Sequence, residues 1–245
     1  MGKDAPTCRR DSLHSRDLDM TPPDFTRSGV WQDLLPQALR LTDHLSRMVQ
    51  SPLWSFGGGT VLMLRLNHRL SKDIDLFVPD PQYLGHFSPR LNDVAEAVAT
   101  EYEEAAEYTK LFLPLGEIDI VVGTPLTENP WDAVQFQGRT ILVETCAEII
   151  AKKMHHRGDQ AKARDLFDLC AVADLEPRAI EIARPWFLKH GHAFMTRLRE
   201  NQDLARNEFG KIDGLGYTQS FDYCIERAER LLLQPNMSKR SASRP

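Results

Sequence analysis

Two aspartates one residue apart, Asp73-Ile-Asp75, are the strongest chemical signal in the chain. Side chains alternate along a strand, so both carboxylates project from one face, roughly 6.6 Å apart along the backbone, while Ile74 and Leu76 point into a core. Carboxylates aimed at one spot repel each other and are costly to bury without a counter-charge. A divalent cation removes that cost, and hard oxygen ligands suit Mg2+ or Mn2+. In isolation the pattern favours two solvated aspartates at the open end of an edge strand; three other segments change that.

The first is Phe56-Gly-Gly-Gly-Thr60, between a short apolar run and a helical pattern. Glycines there let the backbone approach a phosphate, and the N–H groups of a first helical turn face an anion. A tight turn would need one such glycine, not three. A Walker lysine and a Gly-x-Gly-x-x-Gly are both missing, so neither a P-loop nor a dinucleotide fold is supported. The second is Glu117-Ile-Asp119. If its strand neighbours the first acidic strand, Asp119 completes a three-carboxylate cluster, of the kind that holds two metals about 3.5–4 Å apart around an in-line displacement. Glu117 falls at the strand mouth as a solvated charge.

The third is the most basic stretch of the chain: Lys152, Lys153, Arg157, Lys162 and Arg164. Lys153 and Arg157 share a helix face at i,i+4. In the next helix Leu166, Leu169, Cys170 and Ala173 pack inward, with Asp165 and Asp168 on another face. A triphosphate needs such cations opposite the metals. The competing interpretation is a solvated helical hairpin with an Arg164–Asp168 pair. His155 and His156 are adjacent, face different ways, and read as polar packing.

The elements that must position these residues follow from periodicity. A helix is predicted over 30–48, with Pro36 near its first turn or a break, then a strand at Leu53–Phe56, a helix from Thr60, and a strand at Asp73–Val78. Residues 91–108 read as a surface helix. Strands follow at 110–114 and 116–122, then two more within 136–143 around Gly138-Arg139. Helices are expected at 144–157, 161–174, 177–188, 190–209 and 217–233. The fold class is thus α/β (α+β). A flexible arm (1–27) precedes a small mixed-sheet core (28–143), a helical domain (144–235) completing the cleft, and a disordered tail (236–245). There is no internal repeat.

Composition sets bounds. At 245 residues, 42% hydrophobic and 27% charged, the chain can bury a real core, and a net charge of −5 excludes a globally basic nucleic-acid coat. Cys8, Cys146, Cys170 and Cys224 lie too far apart for a zinc knuckle or disulfide framework. Cys170, in an apolar helical pattern, is expected to be a buried thiol. The polar N-terminus has no signal-peptide core and no run approaches the roughly 20 apolar residues of a membrane span, which points to the cytoplasm and away from membranes.

Taken together, these residues resemble the nucleotidyltransferases of the AbiEii/AbiGii toxin type, within the polymerase-β-like superfamily. The likeness rests on Gly57-Gly-Gly-Thr60 leading to Asp73-Ile-Asp-Leu-Phe77, and on Lys153 followed by Arg164-Asp-Leu-Phe-Asp-Leu169. Glu117-Ile-Asp119 falls where the superfamily keeps its third carboxylate. The resemblance spans about residues 50–175. It implies that Gly58, Gly59 and Thr60 hold the triphosphate of an NTP substrate, with Arg164 in the nucleotide site. Asp73, Asp75 and Asp119 would bind Mg2+ or Mn2+, Lys153 rather than Lys152 would contact phosphate, and Asp165 would sit at the active site. It further implies transfer of NMP with release of pyrophosphate by a toxin of a toxin–antitoxin or phage-defence pair, with a helix-turn-helix antitoxin as partner and RNA such as tRNA as acceptor. A protein or small-molecule acceptor, and a non-catalytic nucleotide sensor, are the alternatives.

Overall fold

The computed structural model describes residues 20–233. The expected tail, Cys8 and most of the expected arm lie outside them. Residues 20–27 do not stand free: the Phe25 ring packs against Trp31 and Phe136, and the buried Arg65 guanidinium donates to the carbonyls of Thr21 (2.6 Å), Val143 (3.1 Å) and Glu144 (2.9 Å). Burying Arg65 without those partners would be prohibitive, so the sequence around it must dock.

Helix α1 (Trp31–Met48) turns Leu34, Leu35, Ala38, Leu41 and Leu45 inward, at about 1.5–3 kcal/mol for each large side chain buried. Pro36 lies inside it without ending it. Strand β1 (Ser55–Gly57) runs directly into α2 (Gly58–Leu66), and β2 (Ile74–Val78) follows. Asp73 therefore sits one residue before the strand rather than in it.

Residues 91–108 depart from expectation. Only Asp93–Val98 is helical (α3), and Glu101–Glu104 is an exposed strand, β3, paired antiparallel to β4 (Tyr108–Leu113). The Ala- and Glu-rich composition that suggests a helix also suits a sheet edge, where charge discourages further pairing. Strand β5 (Gly116–Val122) closes a hairpin with β4, and β6 (Trp131–Phe136) and β7 (Arg139–Glu144) form another. The second turns at Gln137 and Gly138, both at positive φ (48° and 79°), as a right-twisted two-residue hairpin requires.

The seven strands form one mixed sheet in the order β3-β4-β5-β2-β1-β7-β6, with β2 parallel to β5 and β1 parallel to β7. Ile74, Leu76, Val78, Ile118 and Ile120 point to one face and are fully buried, with α1 packed against β2 and β5. The opposite face carries Asp75, Phe77, Asp119 and Val121.

Helices α4 (Cys146–Arg157), α5 (Ala163–Leu175), α6 (Pro177–Glu200), α7 (Gln202–Phe209) and α8 (Phe221–Leu233) complete the described chain. The expected break near residue 189 is absent: α6 runs through Gly191 and ends at Glu200. A Cβ on Gly191 would lie 2.9 Å from Leu232 Cβ, so this glycine serves a close helix crossing, not a helix stop. Cys146, Cys170 and Cys224 are buried free thiols. One buried cluster includes residues from α1 through α8. No helix among the described residues is long and apolar enough to cross a membrane.

Candidate active site

A cavity of about 450 Å3 opens between the polar face of the sheet and α4 with the start of α5. Register builds its acidic wall. Asp75 pairs in register with Asp119, and Asp119 with Lys110, so these three side chains stand in a row across β2, β5 and β4. The expected neighbourhood of the two acidic strands is thus realised. Asp73 lines the cavity just above the row, its Oδ1 accepting the Glu117 N–H at 3.1 Å.

Each of the three glycines faces a polar side chain where a Cβ would stand. On Gly57 it would meet Glu144 Oε2 at 2.3 Å, on Gly58 Asp75 Oδ2 at 1.8 Å, and on Gly59 Arg69 Nη2 at 2.8 Å. Gly58 also has φ +72°. The N-terminus of α2 carries no side-chain cap, which leaves first-turn N–H groups for an anion at the cavity. The Thr60 side chain is turned elsewhere. It is fully buried and its hydroxyl donates to the Asp73 carbonyl at 2.5 Å, so it ties the glycine turn to the acidic segment rather than facing the cavity.

Gly58→Ala is expected to cost about 1–2 kcal/mol through the left-handed backbone and to lower activity about a hundredfold by displacing the Asp75 carboxylate. Gly138→Ala is the control: it has φ +79° but nothing within 4 Å of the added methyl, so thermal denaturation should show the backbone cost while activity is kept.

Lys152, Lys153, Arg157, Lys162 and Arg164 all line the opposite wall. Lys152 is committed: its ammonium reaches Glu144 at 2.5 Å and Glu148 at 3.5 Å and covers the Phe77 ring at 3.8 Å. Lys153 lies 2.8 Å from Asp165 and 3.1 Å from Asp168. Asp165 is itself buried behind Lys153, with its second oxygen accepting the Lys162 N–H at 3.1 Å. It holds the lysine and the start of α5 and does not reach the cavity wall. Arg164 and Lys162 are exposed at the cavity rim.

Asp168 is the centre of a buried ion cluster. Arg69 grips both its oxygens (2.6 and 2.9 Å), and His68 Nε2 lies 2.8 Å from Oδ1. The Arg164–Asp168 pair of the competing interpretation gives way to this longer-range set. Burial alone would raise the Asp168 pKa, but Arg69, Lys153 and the His68 hydrogen bond outweigh it and hold the carboxyl well below its usual range. Asp165 is lowered similarly, Lys153 and Arg157 outweighing burial. His68 is pushed down by burial despite Asp168. Its Nδ1 is buried without a hydrogen-bond partner, an arrangement that suits a neutral ring donating from Nε2 to Asp168.

The acidic wall behaves oppositely. Burial raises Asp75, with Asp73 adding to the rise against the pull of Lys153 and Arg157. Burial, then Asp75, raises Asp119 to about 6. Two neighbouring carboxyls with raised pKa values ask for a cation. Among the described residues no three acidic, His or Cys side chains converge on one point. The expected three-carboxylate cluster is not closed, because Asp73 is turned to the Glu117 N–H and Lys110 Nζ lies 3.0 Å from Asp119.

Sequence reading did not pick out Arg69, Ser71, Lys110 or Glu144, all of which line the cavity. Lys110 was legible only through its register with Asp119, Arg69 only through Asp168, 99 residues away, and Glu144 through Ser55, 89 residues away, and Lys152. His156 also lines the cavity, while His155 Nδ1 sits 3.3 Å from His190 Nε2 as polar packing.

Carboxylates on one wall, fixed cations on the other and an uncapped helix start between them define a site for a phosphorylated substrate, on a mixed sheet backed by helices. The family model described as nucleotidyl transferase AbiEii toxin, type IV TA system, matches residues 40–233. The chain belongs to that family and is a nucleotidyltransferase of the toxin type. Solved structures with a related shape include the nucleotidyltransferase toxin MenT4 from Mycobacterium tuberculosis H37Rv, at 21% identity, TM-score 0.47 and coverage of 87% of this chain and 88% of that one. JHP933 from Helicobacter pylori is similar at 15% identity and TM-score 0.45, covering 84% and 90%. No curated protein matches the sequence.

Proposed function

We propose that the protein transfers a nucleoside monophosphate from an NTP to RNA such as tRNA, as the toxin partner of a helix-turn-helix antitoxin in the cytoplasm, with a divalent cation held by Asp75 and Asp119 that would draw Asp73 in from the Glu117 N–H. The observation that carries this is the in-register row of Asp75 and Asp119 facing Lys153 and Arg157 across one cavity. The residues fit Mg2+ or Mn2+: the donors are hard oxygens, and Asp119 Oδ1 is buried and accepts no hydrogen bond. When bound, the cation would neutralise the carboxylates and polarise the phosphate undergoing attack.

The chain's own groups supply the rest. Gly58 and Gly59 bring backbone N–H groups to the triphosphate. Lys153, aligned by Asp165 and Asp168, and Arg157 and Arg164 at the rim offset the charge that develops on the leaving pyrophosphate. Asp119 is placed to accept the proton of the acceptor hydroxyl as its oxygen attacks the α-phosphorus. Thr60 acts by fixing the turn that carries the glycines. Lys162 and Arg164, exposed at the mouth, suit the phosphates of an RNA end.

Purified protein incubated with each α-32P-labelled NTP, Mg2+ and total bacterial RNA or lysate protein tests the acceptor. Label that resists protease and is released by ribonuclease is expected. Label that resists ribonuclease and is released by protease would transfer the reading to a protein acceptor, and tight nucleotide binding without transfer would support a sensor.

A further inference from the structure

Lys110 has no role in the account above, yet it is built into the acidic row. It pairs in register with Asp119 and lines the cavity from the carboxylate side. Its Nζ lies 2.5 Å from Glu117 Oε2 and 3.0 Å from both oxygens of Asp119, with its hydrogen bond on Oδ2. The side chain is only 25% exposed. A lysine ammonium withdraws from water to this degree only when carboxylates replace its hydration.

The ammonium therefore lies against both oxygens of Asp119, with its hydrogen bond on Oδ2 and none on Oδ1, on the ground a second divalent cation would need. A divalent cation and an ammonium on the same oxygen repel each other, and Glu117 anchors the ammonium from its other side. We infer that Lys110 is a fixed counter-cation for Asp119 that takes the place of a second metal ion, so that the site works with one divalent cation and one ammonium. This rests on the metal-dependent reading above. Lys110 is on this view a positioning residue: it neutralises Asp119 and, anchored by Glu117, holds that carboxylate in the row beside Asp75.

The test is a Mn2+ titration of the full chain followed by electron paramagnetic resonance, with no nucleotide and no turnover. Wild type is expected to bind about one Mn2+ with an uncoupled spectrum, and Lys110→Arg, which keeps the charge, to do the same. Lys110→Met and Lys110→Gln should bind about two, with the spin-coupled signal of ions about 3.5–4 Å apart; either neutral variant serves if the other fails to fold. Two coupled ions in wild type, or one ion in both neutral variants, would overturn the inference while leaving metal dependence intact. No bound Mn2+ in any variant would overturn metal dependence itself, and the inference with it.

Discussion

Asp75→Asn is expected to lower nucleotidyl transfer by about a thousandfold or more while leaving the melting temperature of the metal-free protein unchanged or higher. The two effects have one cause. Asp75 and Asp119 are adjacent in register, and burial raises both carboxyls, each reinforced by a neighbouring acid. A carboxyl whose folded pKa lies above its unfolded value is destabilising when ionised. An amide of the same shape removes that charge, and with it the negative site that a cation and the reaction need. A residue that only shaped the fold would lose stability and activity together. Thermal melts without metal, beside initial transfer rates with Mg2+, check both halves; a strongly destabilised Asn variant would contradict the electrostatic account of the row.

Asp168→Asn should do the reverse to stability. The fully buried carboxylate answers Arg69, Lys153 and His68 at once. Removing its charge leaves the buried Arg69 guanidinium without its carboxylate and Lys153 with Asp165 alone, and breaking such a set costs about 3–5 kcal/mol. The pH dependence has a definite sign. The Asp168 carboxyl lies well below its ordinary value because Arg69 and Lys153 outweigh burial, so its contribution is complete above the unfolded value of about 3.9. It is lost as pH falls from there toward the folded value. Chemical denaturation from neutral pH to about pH 3 should therefore show a steep acid limb in wild type that is shallower in Asp168→Asn. Equal slopes would mean that the cluster carries no net folding energy.

The contrast between those two aspartates marks what could be read from the sequence. Alternation alone assigned Asp75 and Asp119 to cavity faces and Ile74, Leu76, Ile118 and Ile120 to the core, because strand periodicity is a local property. The α/β class, the β4–β5 hairpin and the glycine turn were legible for the same reason. Asp168 was seen only as a helix-face charge with Arg164 four residues away. Its real partners come from the segment between α2 and β2, about 100 residues earlier, and such long-range ion pairs leave no periodic trace. Thr60 shows the same limit: the contact of its hydroxyl with the Asp73 carbonyl, 13 residues on, leaves no trace in the sequence. The helix expected over 91–108 failed because β3 is made by pairing with β4, a tertiary choice that overrides Ala and Glu propensity. The missing break near residue 189 has the same lesson: Gly191 is explained by Leu232 across the helix crossing.

The proposed reaction moves a nucleotidyl group, not a phosphoryl group, and depends on the acidic row. The most direct measurement follows the same NTP labelled once at the α-phosphate and once at the γ-phosphate, in the presence of Mg2+ and total RNA, for wild type and Asp75→Asn. α-Label is expected to enter the acceptor, γ-label to appear in pyrophosphate, and both signals to vanish in the variant. Transfer of γ-label to the acceptor, or α-label transfer undiminished in Asp75→Asn, would contradict it.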